Sequence, residues 1–285
     1  MREWGWRRSP ADRALEGALW GVAAMVALVF AAMVGQVVWE GASVVDVAFL
    51  TEGPRDAGRA GGVLPILVST VSILLICMAF VVPVGLGTAM FLTGVAPSGG
   101  RSARWLGRSL DVLAGVPSIV FGLFGNAFFC QVLGLGFSIL AGGLTLACMA
   151  LPLFIRAAET GLRAVPGEMR LAAAALGLSR STTLLRLMLP AASRAIVAGL
   201  VLSVGRALAE TAALIFTSGY VDRMPGSMFD SGRALSVHIY DLSMNVAGGE
   251  RSAWGSALVL LTLLVVIQAG ASWMTRAWVR RGYTA

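Results

Sequence analysis

The sequence contains no lysine, because all 22 basic residues among its 285 residues are arginine. A phosphate-binding P-loop needs a lysine that reaches the β- and γ-phosphates of ATP, so this chain is not a standard ATPase. A catalytic Schiff base on a lysine is excluded for the same reason. Histidine is almost as scarce, and the single His238 cannot build a metal site alone.

Cysteine is the next scarce residue type. Cys77, Cys130 and Cys148 each lie in an apolar stretch, without a CxxC partner or a histidine at metal-ligand spacing. This pattern predicts small buried apolar residues and excludes a cysteine-based metal motif.

Charge of either sign is also sparse. Only 13% of the residues are charged and 57% are hydrophobic, with a mean hydropathy of +0.81, whereas soluble domains carry about 25% charged residues. The composition therefore indicates a membrane protein. The first apolar run is too long for a signal peptide and lacks a small-residue cleavage site, so we expect no cleavable signal.

Six apolar stretches are long enough to cross a bilayer, which takes about 20 helical residues. The overlong second stretch contains Pro83, where we expect a kink or a break into a cytoplasmic helix. The fold class is therefore an all-α polytopic membrane protein of about six transmembrane helices. The predicted spans are 15–39, 63–93, 107–132, 136–158, 194–217 and 253–278.

Arginine placement predicts the direction of these spans. With both termini inside, 16 of the 22 arginines fall in cytoplasmic segments, as the positive-inside rule requires. Five spans would follow instead if 15–39 were peripheral. The cytoplasmic arginines are Arg2, Arg7, Arg8, Arg13, Arg101, Arg104, Arg108, Arg156, Arg163, Arg170, Arg180, Arg186, Arg194, Arg276, Arg280 and Arg281.

Two external segments, 40–62 and 218–252, are long enough to have structure of their own. The second contains RALSVHIYDLSMN, which is too short to span a bilayer. It fits a helix at or dipping into the external surface as well as it fits a solvated loop. Tyr240 and Asp241 are candidates for a contact with an external protein or for an external gate.

The cytoplasmic loop 157–192 has the pattern helix, glycine, helix. Pro166 suits the first turn of the first helix, and Gly177 suits a left-handed cap at its end. Ser179 is a candidate N-cap of the second helix, which Pro190 ends or kinks. Such an arginine-rich amphipathic pair either lies on the inner leaflet or docks in a groove of a cytoplasmic protein.

This loop resembles the cytoplasmic loop of ABC importer permeases, in which Glu-Ala-Ala is followed by Gly and later by an apolar residue and Leu-Pro. The chain departs from that pattern at Leu171, where the family usually has glutamate. The resemblance implies that the loop is a coupling helix that seats in a cleft of an ATP-binding subunit. The matching residues are Ala172, Ala173, Gly177, Leu187, Leu189 and Pro190.

Several further stretches resemble PstA-type permeases of phosphate importers. The resemblance implies a MetI-like type I ABC importer permease fold, with 1–40 as the cytoplasmic N-terminus and first helix and 60–280 as the permease domain. The stretches are GVPSIVFGLFG at 115–125, LTLACMALPLFIR at 144–156, VLSVGRALAETAAL at 201–214 and HIYDL at 238–242.

The same resemblance implies the partners of the chain. They are a homologous PstC-like permease, a dimer of PstB-like ATP-binding subunits, a PstS-like external phosphate-binding protein and the lipid bilayer of the bacterial cytoplasmic (inner) membrane. ATP and magnesium would bind to the ATPase partner, so this chain is expected to bind no cofactor, no metal and no nucleic acid and to hold no catalytic residue.

The stretch SVGRALAETAAL places Arg206 and Glu210 within an apolar run. On a helix that enters near Arg194, Arg206 would lie about 18 Å deep, and a spacing of four residues would put both charges on one face. They form either a structural ion pair or part of an anion pathway, in which Glu210 competes with the anion for Arg206. Thr211 and Ser118 are additional pathway candidates.

Four functions remain open from the residues. A phosphate permease is favoured by the PstA-like stretches, whereas Arg206 alone fits sulfate or molybdate equally well. A proton-coupled secondary transporter with Glu210 as the carrier would leave the cytoplasmic loop without a partner. A membrane scaffold or sensor would carry no flux.

Overall fold

The computed structural model describes residues 10–95 and 100–282 of the chain. Arg2, Arg7 and Arg8, which contribute to the predicted orientation, lie outside the described residues. Nothing is described of the side chains from 274 onward, which include the arginines of the last helix.

Four long helices in the described residues are apolar enough to cross a membrane, and they agree with four of the predicted spans. Their bounds are α1 Pro10–Ala42, α3 Leu64–Met90, α6 Ile139–Arg163 and α13 Glu250–Gly282. The helix α3 runs through Pro83 and continues as a π-helical turn, Phe91–Val95. The break expected at Pro83 is therefore wrong, since a membrane bundle tolerates one missing N–H.

The predicted span 107–132 is not one helix. It consists of α4, Arg101–Ala114, and of α5, Ser118–Gly125, which continues as a π-helical segment, Asn126–Val132. The two halves meet at 103°. The bend has a local cause, because Pro117 disfavours helical conformation in the residue before it and is itself extended, with ψ 142°.

The predicted span 194–217 is also interrupted. The helix α10, Ser193–Leu208, ends nine residues earlier than expected, and a four-residue helix, α11, Ala212–Ile215, follows it. The helical segment before α10, Arg180–Ala191, meets it at 70°. If each bent pair counts as one span, the described residues contain up to six spans.

The cytoplasmic loop contains the two predicted helical arms. The first is α7, Gly167–Ala175. The second is continuous but irregular, and it consists of α8 Arg180–Thr182, a π-helical segment Thr183–Met188 and α9 Leu189–Ala191.

The external segments carry short elements. Between α1 and α3 lie α2, Val47–Thr51, and an antiparallel hairpin of β1, Pro54–Arg55, with β2, Ala60–Gly61. The helical alternative for RALSVHIYDLSMN is confirmed by α12, Leu235–Met244.

The helix α6 forms the centre of the bundle and packs against α3 and α10 through small residues. A Cβ added to Gly143 would come within 2.6 Å of Ile76 on α3, and one added to Gly199 within 2.5 Å of Ala157. Small residues at these crossings let the backbones approach closely. By contrast, α1 buries only Gly41, which lies against Leu258 of α13. The first helix is therefore long enough to cross a membrane and lies at the edge of the bundle.

Candidate functional site

Arg206 and Glu210 are separated by the end of a helix. The helix α10 ends at Leu208, and the N–H of Glu210 turns back to the carbonyl of Ala207 at 3.3 Å. The prediction that both charges share one helical face is therefore wrong. No ion pair joins them in the part of the chain that the structure describes. The apolar pattern continues to Phe216, so the sequence itself carries no signal for this break.

Glu210 is held at the break by backbone contacts. Its side chain is buried, and Oε1 accepts a hydrogen bond from the N–H of Ala213 in the first turn of α11 at 3.2 Å. Its carbonyl oxygen accepts a hydrogen bond of 2.6 Å from Oγ of Ser236 on α12. A carboxylate at the start of a helix satisfies free N–H groups and the helix dipole, so Glu210 caps α11.

Arg206 is exposed on α10. Within the described residues its guanidinium has no ion pair and no hydrogen bond. Charged side chains inside membrane segments almost always face a bundle interior or a water-filled cavity. We therefore expect polar surroundings at the face of α10 that carries Arg206.

Thr211 and Ser118 lie at the two helix breaks. Thr211 precedes α11 and Ser118 begins α5 directly after Pro117, and both are partly exposed. No hydrogen bond joins either of them to Arg206 among the described residues.

The second halves of the two interrupted spans pack against each other. A Cβ added to Gly122 of α5 would lie 2.9 Å from Cα of Ala213 in α11. At the end of α5, Nδ2 of Asn126 donates to the carbonyl of Phe216 at 2.8 Å. The structure thus brings the GVPSIVFGLFG stretch beside the segment that follows the Glu210 break.

The break is also held by the start of α12. The N–H of Leu235 donates to Oγ1 of Thr70 on α3 at 2.9 Å, one residue before Ser236 bonds Glu210. The start of α12 therefore connects α3 to the end of α10. Only long-range contacts create this junction, which explains why periodicity does not reveal it.

The cytoplasmic loop has the predicted local chemistry. Gly177 has φ +68°, and the N–H groups of Leu178 and Gly177 bond the carbonyls of Ala173 and Ala174 at 3.0 Å each. This is the Schellman arrangement, so the predicted left-handed cap is confirmed. Ser179 Oγ accepts from the N–H of Thr182 at 3.2 Å, which confirms the N-cap. Pro166 lies one position before the first helical residue rather than inside the first turn.

The loop has one buried and one exposed apolar face. Ala173 is 1% exposed. Leu184 and Met188 are buried in a cluster with Ala89 of α3 and Ala158 of α6. Leu171 is 72% exposed, at the position of the family's usual glutamate. Of the other predicted coupling residues, Ala172, Gly177 and Pro190 are exposed and Leu187 and Leu189 are half-buried. The exposed leucines of the loop are Leu171, Leu176, Leu178 and Leu185.

The structure shows a charge network at the start of this loop that the sequence analysis did not predict. Glu159 is buried and pairs with Arg156 at 2.8 Å and with Arg163 at 2.9 Å. Arg156 also bonds Asp111 and, at 2.7 Å, the carbonyl of Gly107. These contacts hold α4 against α6. The spacing of the Glu159 pairs on one helix was visible in the sequence, but the contacts to α4 were not.

A second buried network lies in the external segment. Arg233 pairs with Asp241 at 3.2 Å and donates to the carbonyl of Tyr220 at 2.8 Å. Nδ1 of His238, which is 1% exposed, lies 3.4 Å from Nη1 of Arg233. Burial and then the charge of Arg233 lower the pKa of His238 from 6.5 to about 4, against an opposing effect of Asp241. Tyr240, a predicted external candidate, is exposed.

The chain is similar to known transport proteins over most of its length. Residues 81–281 match the family described as binding-protein-dependent transport system inner membrane component. Over 224 residues the chain is 36% identical to the phosphate transport system permease protein PstA 1 of Mycobacterium tuberculosis, which covers 78% of this chain and 73% of that protein. Over 282 residues it is 29% identical to the probable ABC transporter permease protein YqgI of Bacillus subtilis, which covers 94% and 96%.

Solved permease structures share the fold. The inward-facing MetNI methionine ABC transporter matches with a TM-score of 0.63 and 16% identity, over 76% of this chain and 95% of that one. A bacterial ABC transporter that imports the acidic polysaccharide alginate matches with a TM-score of 0.66 and 13% identity, over 94% and 98%. The predicted MetI-like permease fold is thereby confirmed.

Proposed function

The chain belongs to the family of binding-protein-dependent transport system inner membrane components, and from this premise we propose that it is the PstA-like permease of an ATP-driven phosphate importer. Support comes from relatives named as phosphate permeases at 36% identity. The observation that carries the proposal is Arg206, an arginine without an ion-pair partner among the described residues, exposed on a membrane helix directly after the cytoplasmic loop.

Arg206 suits an oxyanion by its shape and charge. A guanidinium offers a planar fork of donors that binds two oxygens of phosphate at once. Phosphate must also leave, and a pathway arginine without fixed carboxylate partners can exchange its anion for water. In this proposal Arg206 binds the passing anion, and Ser118 and Thr211 contribute hydroxyl groups from the two helix breaks.

Glu210 has a different role from Arg206. Because its carboxylate bonds the N–H of Ala213 and its carbonyl bonds Ser236, it positions the break instead of competing with the anion. The hypothesis of a competing Glu210 therefore has no support from the geometry.

The exposed leucines of the cytoplasmic loop support docking to an ATP-binding subunit. Four exposed apolar side chains on a helix pair outside the membrane mark a protein interface. Leu171 replaces the family's usual polar contact with apolar packing. The ATPase subunits carry ATP and magnesium, and this chain binds neither.

Only one bend separates the cytoplasmic loop from the helix that carries Arg206. The segment Arg180–Ala191 meets α10 at 70°, and α10 continues without interruption to Leu208. A shift of the docked loop would therefore move the helix that carries Arg206. Because the chain is not helical at Glu210, α11 can stay in place while α10 moves.

The other subunits of the proposed importer are those that the resemblance to phosphate permeases implies. A second, homologous PstC-like permease covers the face with Arg206, and a PstS-like binding protein delivers phosphate to the external segments. The arginine distribution supports cytoplasmic termini in the cytoplasmic (inner) membrane.

Uptake of labelled phosphate into proteoliposomes tests this function. The vesicles hold the chain with its companion permease and ATPase, and the external binding protein is added outside. We expect uptake that requires ATP on the ATPase side and that excess sulfate or molybdate does not displace. Uptake of sulfate in place of phosphate would contradict the substrate, and uptake driven by a pH gradient without ATP would contradict the importer.

A further inference from the structure

A cleft of about 180 Å³ with polar and apolar lining residues lies between the two arms of the cytoplasmic loop and the π-helical turn after α3. It is separate from Arg206, and one of the four exposed leucines of the loop, Leu178, lines it. Its lining combines two arginines and two threonines with apolar and small residues. The lining residues are Thr93, Gly94, Arg170, Ala174, Leu178, Arg180, Thr183, Leu184 and Met188.

Arg170 has an unused donor at this cleft. Its Nη2 donates to the carbonyl of Leu162 at 3.2 Å, at the end of α6. Its Nε is buried and has no hydrogen-bond partner among the described residues. An anion that approached the Arg170 guanidinium would supply the acceptor that this donor lacks.

The two arginines of the cleft also lack counter-charges. In residues 10–95 and 100–282, neither Arg170 nor Arg180 forms an ion pair with a carboxylate. The buried carboxylate nearest in the chain, Glu159, is already bound by Arg156 and Arg163. Two guanidinium groups around one cleft without carboxylates favour an anion.

We propose that this cleft binds an oxyanion of the phosphate class. The arginines supply the donors, because the hydroxyl protons of Thr93 and Thr183 are already donated to the carbonyls of Ala89 and Ser179. Phosphate oxygens match the fork of a guanidinium, and a bound phosphate would satisfy Nε of Arg170. The volume is enough for one small ion with some water.

The position of the cleft gives the anion a structural effect. A bound anion bridges Arg170 on the first arm of the loop and Arg180 on the second, beside the π-helical turn after α3 that contains Gly94. It would hold the two arms in one arrangement relative to α3. In the orientation that the proposed function gives the chain, this cleft opens to the cytoplasm. The site therefore binds an anion from inside the cell, and not the anion that passes Arg206.

Binding of labelled inorganic phosphate to the full chain in nanodiscs of zwitterionic lipid tests the site. We use Arg206→Gln as the background, so that the pathway arginine does not contribute. We expect saturable binding that Arg170→Gln or Arg180→Gln weakens about tenfold or more, since hydrogen bonds to charged groups are worth about 1.5–3 kcal/mol. Arg186→Gln, on the same arm but outside the cleft, should leave binding unchanged.

A second variant leaves the charges intact. Ala174→Leu fills the cleft and should also weaken phosphate binding. The elution profile of the variant in size-exclusion chromatography shows whether it is still folded. Nanodiscs with an anionic phospholipid distinguish a lipid headgroup from free phosphate as the natural occupant. If the cleft binds the headgroup, these nanodiscs suppress binding of inorganic phosphate. If the cleft binds free phosphate, binding is the same in both kinds of nanodisc. Binding that is absent, or that is unchanged in both Arg170→Gln and Ala174→Leu, would overturn the proposal. A failure of phosphate uptake would contradict the proposed function and leave this binding result standing.

Discussion

The hydroxyl of Ser236 donates a hydrogen bond of 2.6 Å to the backbone carbonyl of Glu210. This contact joins the external helix α12 to the point where the membrane helix α10 has ended. Both residues are buried, so the bond is protected from water. It connects α12 to the end of the helix that carries Arg206.

Ser236→Ala should loosen this junction. The variant leaves the carbonyl of Glu210 without its hydroxyl donor, at a cost of about 1 kcal/mol. We expect faster amide hydrogen exchange in residues 209–215. Ser243→Ala, an exposed serine on the same helix, is the matched control and should change nothing. Equal exchange in both variants would show that the bond does not hold the break.

Substitutions of Glu210 separate capping from competition for the anion. Glu210→Gln retains an oxygen that can accept from the N–H of Ala213, so we expect normal assembly and largely retained uptake. Glu210→Ala removes the acceptor and should cost about 0.5–2 kcal/mol of stability. The measurements are phosphate uptake and thermal unfolding of the complex. Tighter retention of phosphate in Glu210→Gln, with unchanged stability in Glu210→Ala, would favour competition.

Gly177→Ala should strain the turn of the cytoplasmic loop. Its φ of +68° disfavours a side chain by about 1 kcal/mol. We expect weaker stimulation of ATPase activity by the loaded binding protein. Gly167→Ala is the control, because Gly167 lies in the same loop with open space around its Cβ position. If both variants couple equally, the Gly177 cap is not needed for docking.

The fold and the site were predictable to different degrees. Gly177 and Ser179 act through local backbone preferences, so the sequence predicts the caps of the loop. The bend at Pro117 also has a local cause, although the span 107–132 was predicted as one helix. The end of α10 at Leu208 depends on Ser236 and Thr70, which are distant in the chain. Apolar periodicity continues across that end, and this is why the placement of Arg206 and Glu210 on one helical face was predicted wrongly.

The external segment should lose stability in mild acid. The folded pKa of His238 is about 4, below its usual 6.5, so between these values the unfolded segment binds more protons. Stability is therefore full above pH 6.5 and falls as the pH drops toward 4, by up to about 3 kcal/mol. Hydrogen exchange of residues 235–244 at several pH values measures it, after correction for intrinsic rates. His238→Asn should remove this dependence, and an identical profile in the variant would contradict the assignment to His238.

The central claim is that Arg206 binds the transported anion, and uptake by Arg206→Gln in the reconstituted complex tests it most directly. Assembly is measured by co-purification of all subunits, and ATPase activity is measured in the same vesicles. Arg104→Gln, an exposed arginine on α4, is the control. The account predicts intact assembly, ATPase activity in the presence of the binding protein, and phosphate uptake reduced by about tenfold or more in Arg206→Gln alone. Full uptake in Arg206→Gln, or loss of assembly without a transport-specific defect, would contradict it.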